Sequence, residues 1–115
     1  MPNILVFLDT PLSSPRLSVL RCTGEEDATT KPLRRRALSK AKRSPKDVVV
    51  DLSGLGFADP SLMIDLAMVA QRLRMSGRGV RLRGAQPHIR RLIEMVGLHH
   101  LPGVLMDDRT APQVG

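Results

Sequence analysis

Asp47-Val48-Val49-Val50-Asp51-Leu52-Ser53-Gly54-Leu55-Gly56-Phe57-Ala58-Asp59-Pro60-Ser61-Leu62 is the stretch on which the reading of this chain turns. Val48, Val49, Val50 and Leu52 are an apolar, largely β-branched run, too short for a helix and without alternation, which predicts a strand covered on both faces. Gly54 and Gly56 are expected to turn the chain. Asp59, Pro60 and Ser61 then bring helix-opening chemistry, a capping oxygen and a proline near the first turn, ahead of the apolar segment from Leu62 to Leu73. A core strand is thus handed on to a helix, and the hydroxyl of Ser61 is expected to protrude into water at the junction. Backbone N–H groups converge at a helix start and the helix dipole favours negative charge there, so a phosphate on Ser61 would be held with little strain. Capping is the commoner use of Asp and Ser at such a place, and from these residues alone both uses stand open.

Working outward, Asn3 to Leu8 reads as a strand, followed by a loop rich in turn formers from Asp9 to Pro15, and Leu17 to Cys22 reads as a second strand. Thr29 or Thr30 is placed to cap a helix with Pro32 in its first turn, and Leu33, Ala37, Leu38 and Ala41 recur at helical spacing until Pro45 disfavours helical geometry at Ser44. After the central junction a helix from Ser61 to Met75 is stopped by Gly77 and Gly79, Val80 to Arg83 makes a fourth strand, and Pro87 opens a third helix closed by Gly97. In that last helix Ile89, Leu92, Ile93 and Val96 form the expected inward stripe. Val104 to Met106 adds a short final strand, and the tail 109–115 is expected to fray. Strands alternating with helices predict an α/β fold, a small, mostly parallel sheet of four to five strands with crossover helices, in a single domain spanning 1–115.

Composition bounds what this domain does. Of 115 residues, 42% are apolar but Trp and Tyr are absent and Phe occurs twice, so the core must be aliphatic. One cysteine, Cys22, excludes an internal disulfide, and it sits in an apolar strand pattern that reads as a buried, inert thiol. Asn3 to Leu8 is too short and lacks the basic start of a secretory leader, and nothing approaches the roughly 20 apolar residues of a membrane span, which together point to the cytoplasm. The net charge of +7 is concentrated in Lys31, Arg34, Arg35, Arg36, Lys40, Lys42, Arg43 and Lys46, with no Asp or Glu among them. These residues read as a solvated basic face, or as a surface for an acidic protein or an anionic membrane. Nucleic acid is not expected, since aromatic stacking platforms are missing and no helix-turn-helix pattern offers a reading helix.

The second helix carries more. Met63, Leu66, Ala67, Ala70 and Leu73 form one stripe that must face the sheet, while Asp65, Arg72 and Ser76 mark a wet side. Ile64, Met68 and Met75 align with Gln71 on a third face, apolar without an evident buried role. Such a face suits a protein partner, with cover by another helix of the domain as the alternative. Catalysis finds little footing. His99-His100 lacks further ligands at zinc spacing, Asp107-Asp108 lacks the oxygens and glycine of a calcium loop, and Ser61 has no Gly-x-Ser-x-Gly setting, so neither cofactor nor metal is expected.

Taken as a set, Asp51-Leu52-Ser53-Gly54, the run Phe57 to Leu62, Arg78 to Gly84 and Ile89 to Leu98 resemble the STAS family, whose members include bacterial anti-sigma factor antagonists and sulfate-transporter tails. Gly24-Glu25-Glu26-Asp27 resembles the turn before that family's first helix, so the likeness runs from about Leu17 to Asp107. The resemblance implies that Ser61 is the phosphoacceptor, that Asp27 and Asp59 flank it, and that the protein is a non-catalytic binding module. Such a module docks on an anti-sigma factor kinase through the Ser61 turn and the face of Ile64, Met68, Gln71 and Met75. Three positions depart from the pattern: Pro60 replaces a first serine, Leu62 replaces a glycine, and Glu26 replaces an apolar residue. A leucine side chain at 62 is expected to narrow the approach of a kinase loop. The rival implied by the same family is a structural subunit, never phosphorylated, clamped to a transporter ATPase or signalling complex.

Overall fold

The structure, a computed structural model, describes residues 4–8, 17–25 and 31–107. Its elements run β1 (Ile4–Leu8), β2 (Leu17–Glu25), α1 (Lys31–Lys42), β3 (Asp47–Phe57), α2 (Pro60–Met75), β4 (Val80–Arg83), α3 (Pro87–Val96), a 3-10 turn at Leu98–His100, and β5 (Val104–Asp107). They build one five-stranded sheet in the order β1-β2-β3-β4-β5, with β1 antiparallel to β2 and the other neighbours parallel. Each of α1, α2 and α3 is the crossover that a parallel pair requires. Thr29 and Thr30, the expected caps of α1, and the tail 109–115 lie outside the described residues.

The helices cover one face of the sheet. Leu20, Cys22, Val48, Val50, Leu52, Val80, Leu82 and Val104 share a core with Ala37, Leu38 and Ala41 of α1, with six residues of α2, and with Ile89 and Ile93 of α3. Side chains alternate along a strand, so Val19, Val49, Arg81 and Leu105, which lie in register, belong to the opposite face. Two residues on, Arg21, Asp51, Arg83 and Asp107 form a second row of alternating charge, with Arg21 to Asp51 and Arg83 to Asp107 each at 3.8 Å. The expectation of a strand covered on both faces holds for this run, since Val48, Val49, Val50 and Leu52 are each at most 1% exposed; Val48, Val50 and Leu52 meet the helices, and Val49 is buried on the other face, two residues before the charged row.

The glycines of β3 also behave differently from expectation. They do not turn the chain, since the strand continues through Gly54 and Gly56 to Phe57, with a register shift against β2 between Arg21 and Thr23. A Cβ on Gly54 would stand 2.9 Å from Thr23 Cγ2, so its role is close approach of two strands where the ladder slips. Val96, expected on the inward stripe of α3, is 37% exposed, because Gly97 adopts a left-handed conformation (φ 86°) and leads the chain away at that turn. Among the described residues no helix is long and apolar enough to cross a membrane.

Candidate functional site

The end of β3 delivers the chain to α2 by a short, well-bonded path. Ser53, at the slip in the ladder, donates from both its N–H (3.0 Å) and its hydroxyl (2.7 Å) to Asp51 Oδ1. Gly84, at φ 73°, lies so close to Ser53 that a Cβ would come within 2.9 Å of it. His88, in the first turn of α3, hydrogen-bonds the carbonyl of Gly56 and ties that helix to the same strand end. Ala58 then turns inward, and Asp59 is extended (φ −75°, ψ 144°) with its Oδ1 accepting from the Ser61 N–H at 2.9 Å. Asp59 is thus the N-cap, Pro60 fills the first helical position, where no N–H is missed, and Ser61 follows in the first turn. Asp27, the other acidic residue named beside Ser61, lies outside the described residues.

Ser61 is half-buried rather than open to water. Its Oγ accepts from Arg34 Nη2 at 3.4 Å, and the same nitrogen lies 2.9 Å from Asp65 Oδ2, one turn further along α2. Arg34 belongs to the run read from sequence as a solvated face, yet it is only 5% exposed, whereas Arg35, Arg36, Lys40 and Arg43 are exposed as expected. Asp65, expected on the wet side, is its partner. Arg34, Ala37, Leu38 and Ala41 lie at i, i+3, i+4 and i+7, so the inward phase of α1 does include Arg34, and that spacing was the available signal. A charge so placed must be paired, since an isolated guanidinium in the interior is far costlier than one in water.

Around this contact a groove of about 480 Å³ separates α1 from α2, lined by Arg34, Arg35, Leu38, Ser39, Lys42, Ser61, Asp65 and Met68. The rest of the face named from sequence lies outside it. Ile64 and Met68 are about half exposed, Met75 is 82% exposed and Gln71 is exposed; Gln71 and Met75 line a second, shallower depression with Arg74. Among the described residues no helix covers this face. Leu62 is fully buried, so the aliphatic side chain expected to obstruct the acceptor points into the core instead. Val69 is also buried and Ala67 only half so, which shifts the inward stripe of α2 slightly from the one read in the sequence.

Other chemistry is sparse. Burial pushes the Cys22 thiol up to about 12, with the Asp51 carboxylate adding to the rise and the Arg34 guanidinium opposing it, so this thiol is protonated and unreactive at neutral pH. The rings of His99 and His100 lie against each other at 3.9 Å, and among the described residues no three His, Cys, Asp or Glu side chains gather as metal ligands.

A sheet of four parallel strands and one antiparallel edge, with three helices on one face and a serine at the start of the second helix, is the arrangement of STAS domains. Residues 12–106 match the family described as "Mlab, STAS domain", and the chain belongs to the STAS family. Three solved structures share the fold. SpoIIAA, an anti-sigma factor antagonist in its unphosphorylated form, aligns at 18% identity over 92% of this chain and 89% of its own, with a TM-score of 0.67. An anti-sigma factor antagonist from Mycobacterium paratuberculosis aligns at 28% identity over 90% and 85%, with a TM-score of 0.69. An antisigma-factor antagonist STAS domain from Rhodobacter sphaeroides aligns at 19% over 71% and 86%, with a TM-score of 0.52. No curated protein sequence matches the chain.

Proposed function

We propose that this STAS domain is an anti-sigma factor antagonist, a non-catalytic cytoplasmic protein that binds an anti-sigma factor kinase and is released from it by phosphorylation of Ser61. The observation that carries this reading is the exposed apolar face of α2, Ile64, Met68 and Met75 with Gln71, on the helix whose first turn holds Ser61 beside the groove. Methionine suits a surface that must adapt to a partner, and half-exposed aliphatic groups in line are a common mark of one. Phosphate at the head of this helix adds −1.5 to −2 charge, roughly, within a turn or two of that face, enough to alter an interface that is apolar at its centre. The burial of Leu62 supports access to the acceptor, because the residue after it leaves the surface free.

The test is to incubate the protein with candidate anti-sigma factor kinases and ATP, and to measure partner binding before and after modification. A phosphate found on the wild type and lost in Ser61→Ala, with weaker partner binding once modified, is the expected result. The alternative, a structural subunit bound to a transporter ATPase, is favoured by one feature: the Ser61 hydroxyl is already engaged by Arg34. Recovery of an ATPase in a pulldown, with Ser61 unmodified by intact mass, would replace the first reading with the second.

A further inference from the structure

We propose that a phosphate on Ser61 is received inside the protein by Arg34, which exchanges Asp65 for it and draws α1 onto the head of α2. This rests on the reading of Ser61 as a phosphoacceptor and describes what the modification does to the domain itself. Arg34 Nη2 already touches both candidate partners, the Ser61 hydroxyl at 3.4 Å and the Asp65 carboxylate at 2.9 Å. In the unmodified protein the contest is unequal, because a neutral hydroxyl is a weaker acceptor than a carboxylate.

Phosphorylation reverses that order. The Ser61 Oγ–phosphorus bond forms as the bond from the γ-phosphorus to the ADP oxygen breaks, and the hydroxyl proton passes to a base on the kinase. Oγ keeps its place beside Arg34 and gains three outer oxygens sharing −1.5 to −2 charge, roughly, which a planar guanidinium grips in bidentate fashion. The groove is charged to suit such a group. Among the described residues Arg34, Arg35 and Lys42 line it against the carboxylate of Asp65, an excess of two positive charges that a dianion brings close to zero. Two carboxylates among the described residues oppose the arrangement, Asp59 at the N-cap of α2, which accepts from the Ser61 N–H, and Asp65 itself. Asp59 is occupied by the helix end, and Asp65, 35% exposed at its side chain, has water to turn to.

The exchange has an outward consequence. Met68 lines the same groove, so closing α1 on the phosphate narrows the cleft beside it and places a released Asp65 carboxylate next to the docking face. The partner then meets an altered surface rather than a protruding phosphate.

The decisive experiment encodes phosphoserine at position 61 during synthesis, so that no kinase is needed, and follows its second ionisation by phosphorus NMR against pH. Among the described residues the charged groups that set this ionisation are Arg34, Arg35 and Lys42 on α1, Asp65 on α2 and Asp59 at its N-cap. A latched phosphate ionises about one unit below the ordinary value near 6. Arg34→Gln should return it to that value, and Asp65→Asn, which removes the competitor, should lower it further. An ordinary value that neither variant moves overturns the latch. Should Arg34→Gln fail to fold, the Asp65→Asn shift decides alone, and its absence is a refutation. Binding of the encoded phosphoprotein to an anti-sigma factor is a separate measurement: lost binding with an ordinary phosphate ionisation keeps the switch and rejects the latch, while a shifted ionisation with unchanged binding does the reverse.

Discussion

The two faces of α2 are made of nearly the same residues and have opposite fates. On the inner face Leu62, Met63, Leu66, Val69, Ala70 and Leu73 are all at most 3% exposed, packed on the sheet. On the outer face Ile64, Met68 and Met75 have half or more of their surface in water. Hydrophobicity alone does not separate them. What separates them is phase: the inner residues repeat at the spacing that keeps one helix face on the shared core, and the outer ones fall on the arc that α1 and α3 leave open. An inner apolar group is already removed from water, so it acts on stability and leaves binding alone. An outer one has burial still to gain.

That division is most exposed to test at Leu66, 1% accessible in the middle of the inner face. Leu66→Ala leaves a cavity among well-packed neighbours and is expected to cost about 2–5 kcal/mol, read as a fall in the midpoint of urea unfolding with an unchanged slope. A cost below about 0.5 kcal/mol would mean that the inner face is not core. A second break point is Cys22, buried in the same core across the sheet. Its thiol ionises near 12 in the folded protein against 9.0 ordinarily. The unfolded chain therefore gives up that proton first as pH rises, and stability is fully present below pH 9 and declines from there towards pH 12. The decline attributable to Cys22 approaches about 1.4 kcal/mol per pH unit. Tyrosine is absent and contributes nothing in this window, while lysine titration is common to both proteins in a comparison with Cys22→Ala. The variant should show a flatter fall between pH 9 and pH 11; parallel curves would mean the thiol is hydrated in the native state.

The same contrast explains what could be read from the chain before its structure. The order of strands and helices, the strand entering at Val48 and the helix opening at Asp59 and Pro60 follow from local chemistry: β-branched runs, a capping carboxylate, and a proline at the one helical turn that tolerates it. The outer face of α2 was legible because it is a matter of phase within one element. Arg34 was obscured by its company, since a cation among seven others reads as solvated until a neighbouring helix brings Asp65 and Ser61 to it. No local spacing encodes the approach of α1 to α2, which is set by how both pack against the sheet. Which face of β3 the helices take was hidden for a similar reason. Val48, Val49 and Val50 are alike in sequence and alike in burial, and only the register of four strands shows that Val49 shares its face with the charged row of Arg21, Asp51, Arg83 and Asp107. Gly54 misled in the other direction, because a glycine that ends a strand and one that lets two strands touch are the same letter.

The outer face offers the smallest effect on stability and the sharpest test of the comparison. Ile64 and Met68 are one turn apart at i and i+4, with 54% and 51% of their surfaces exposed. Replacing both with serine removes little buried area, so the unfolding free energy should fall by no more than about 0.5 kcal/mol per site. Partner binding should respond quite differently. An apolar side chain at the desolvated centre of an interface costs more than about 1 kcal/mol on truncation, so the pair together should weaken binding by at least tenfold. Arg72→Ala, exposed on the wet side of the same helix, serves as a near-neutral control. If the double serine variant unfolds more easily while partner affinity holds, the outer face is part of the domain's own packing and the division drawn across α2 is wrong. If stability holds and affinity falls, one helix carries the core on one side and the recognition surface on the other, with Ser61 placed at the head of both.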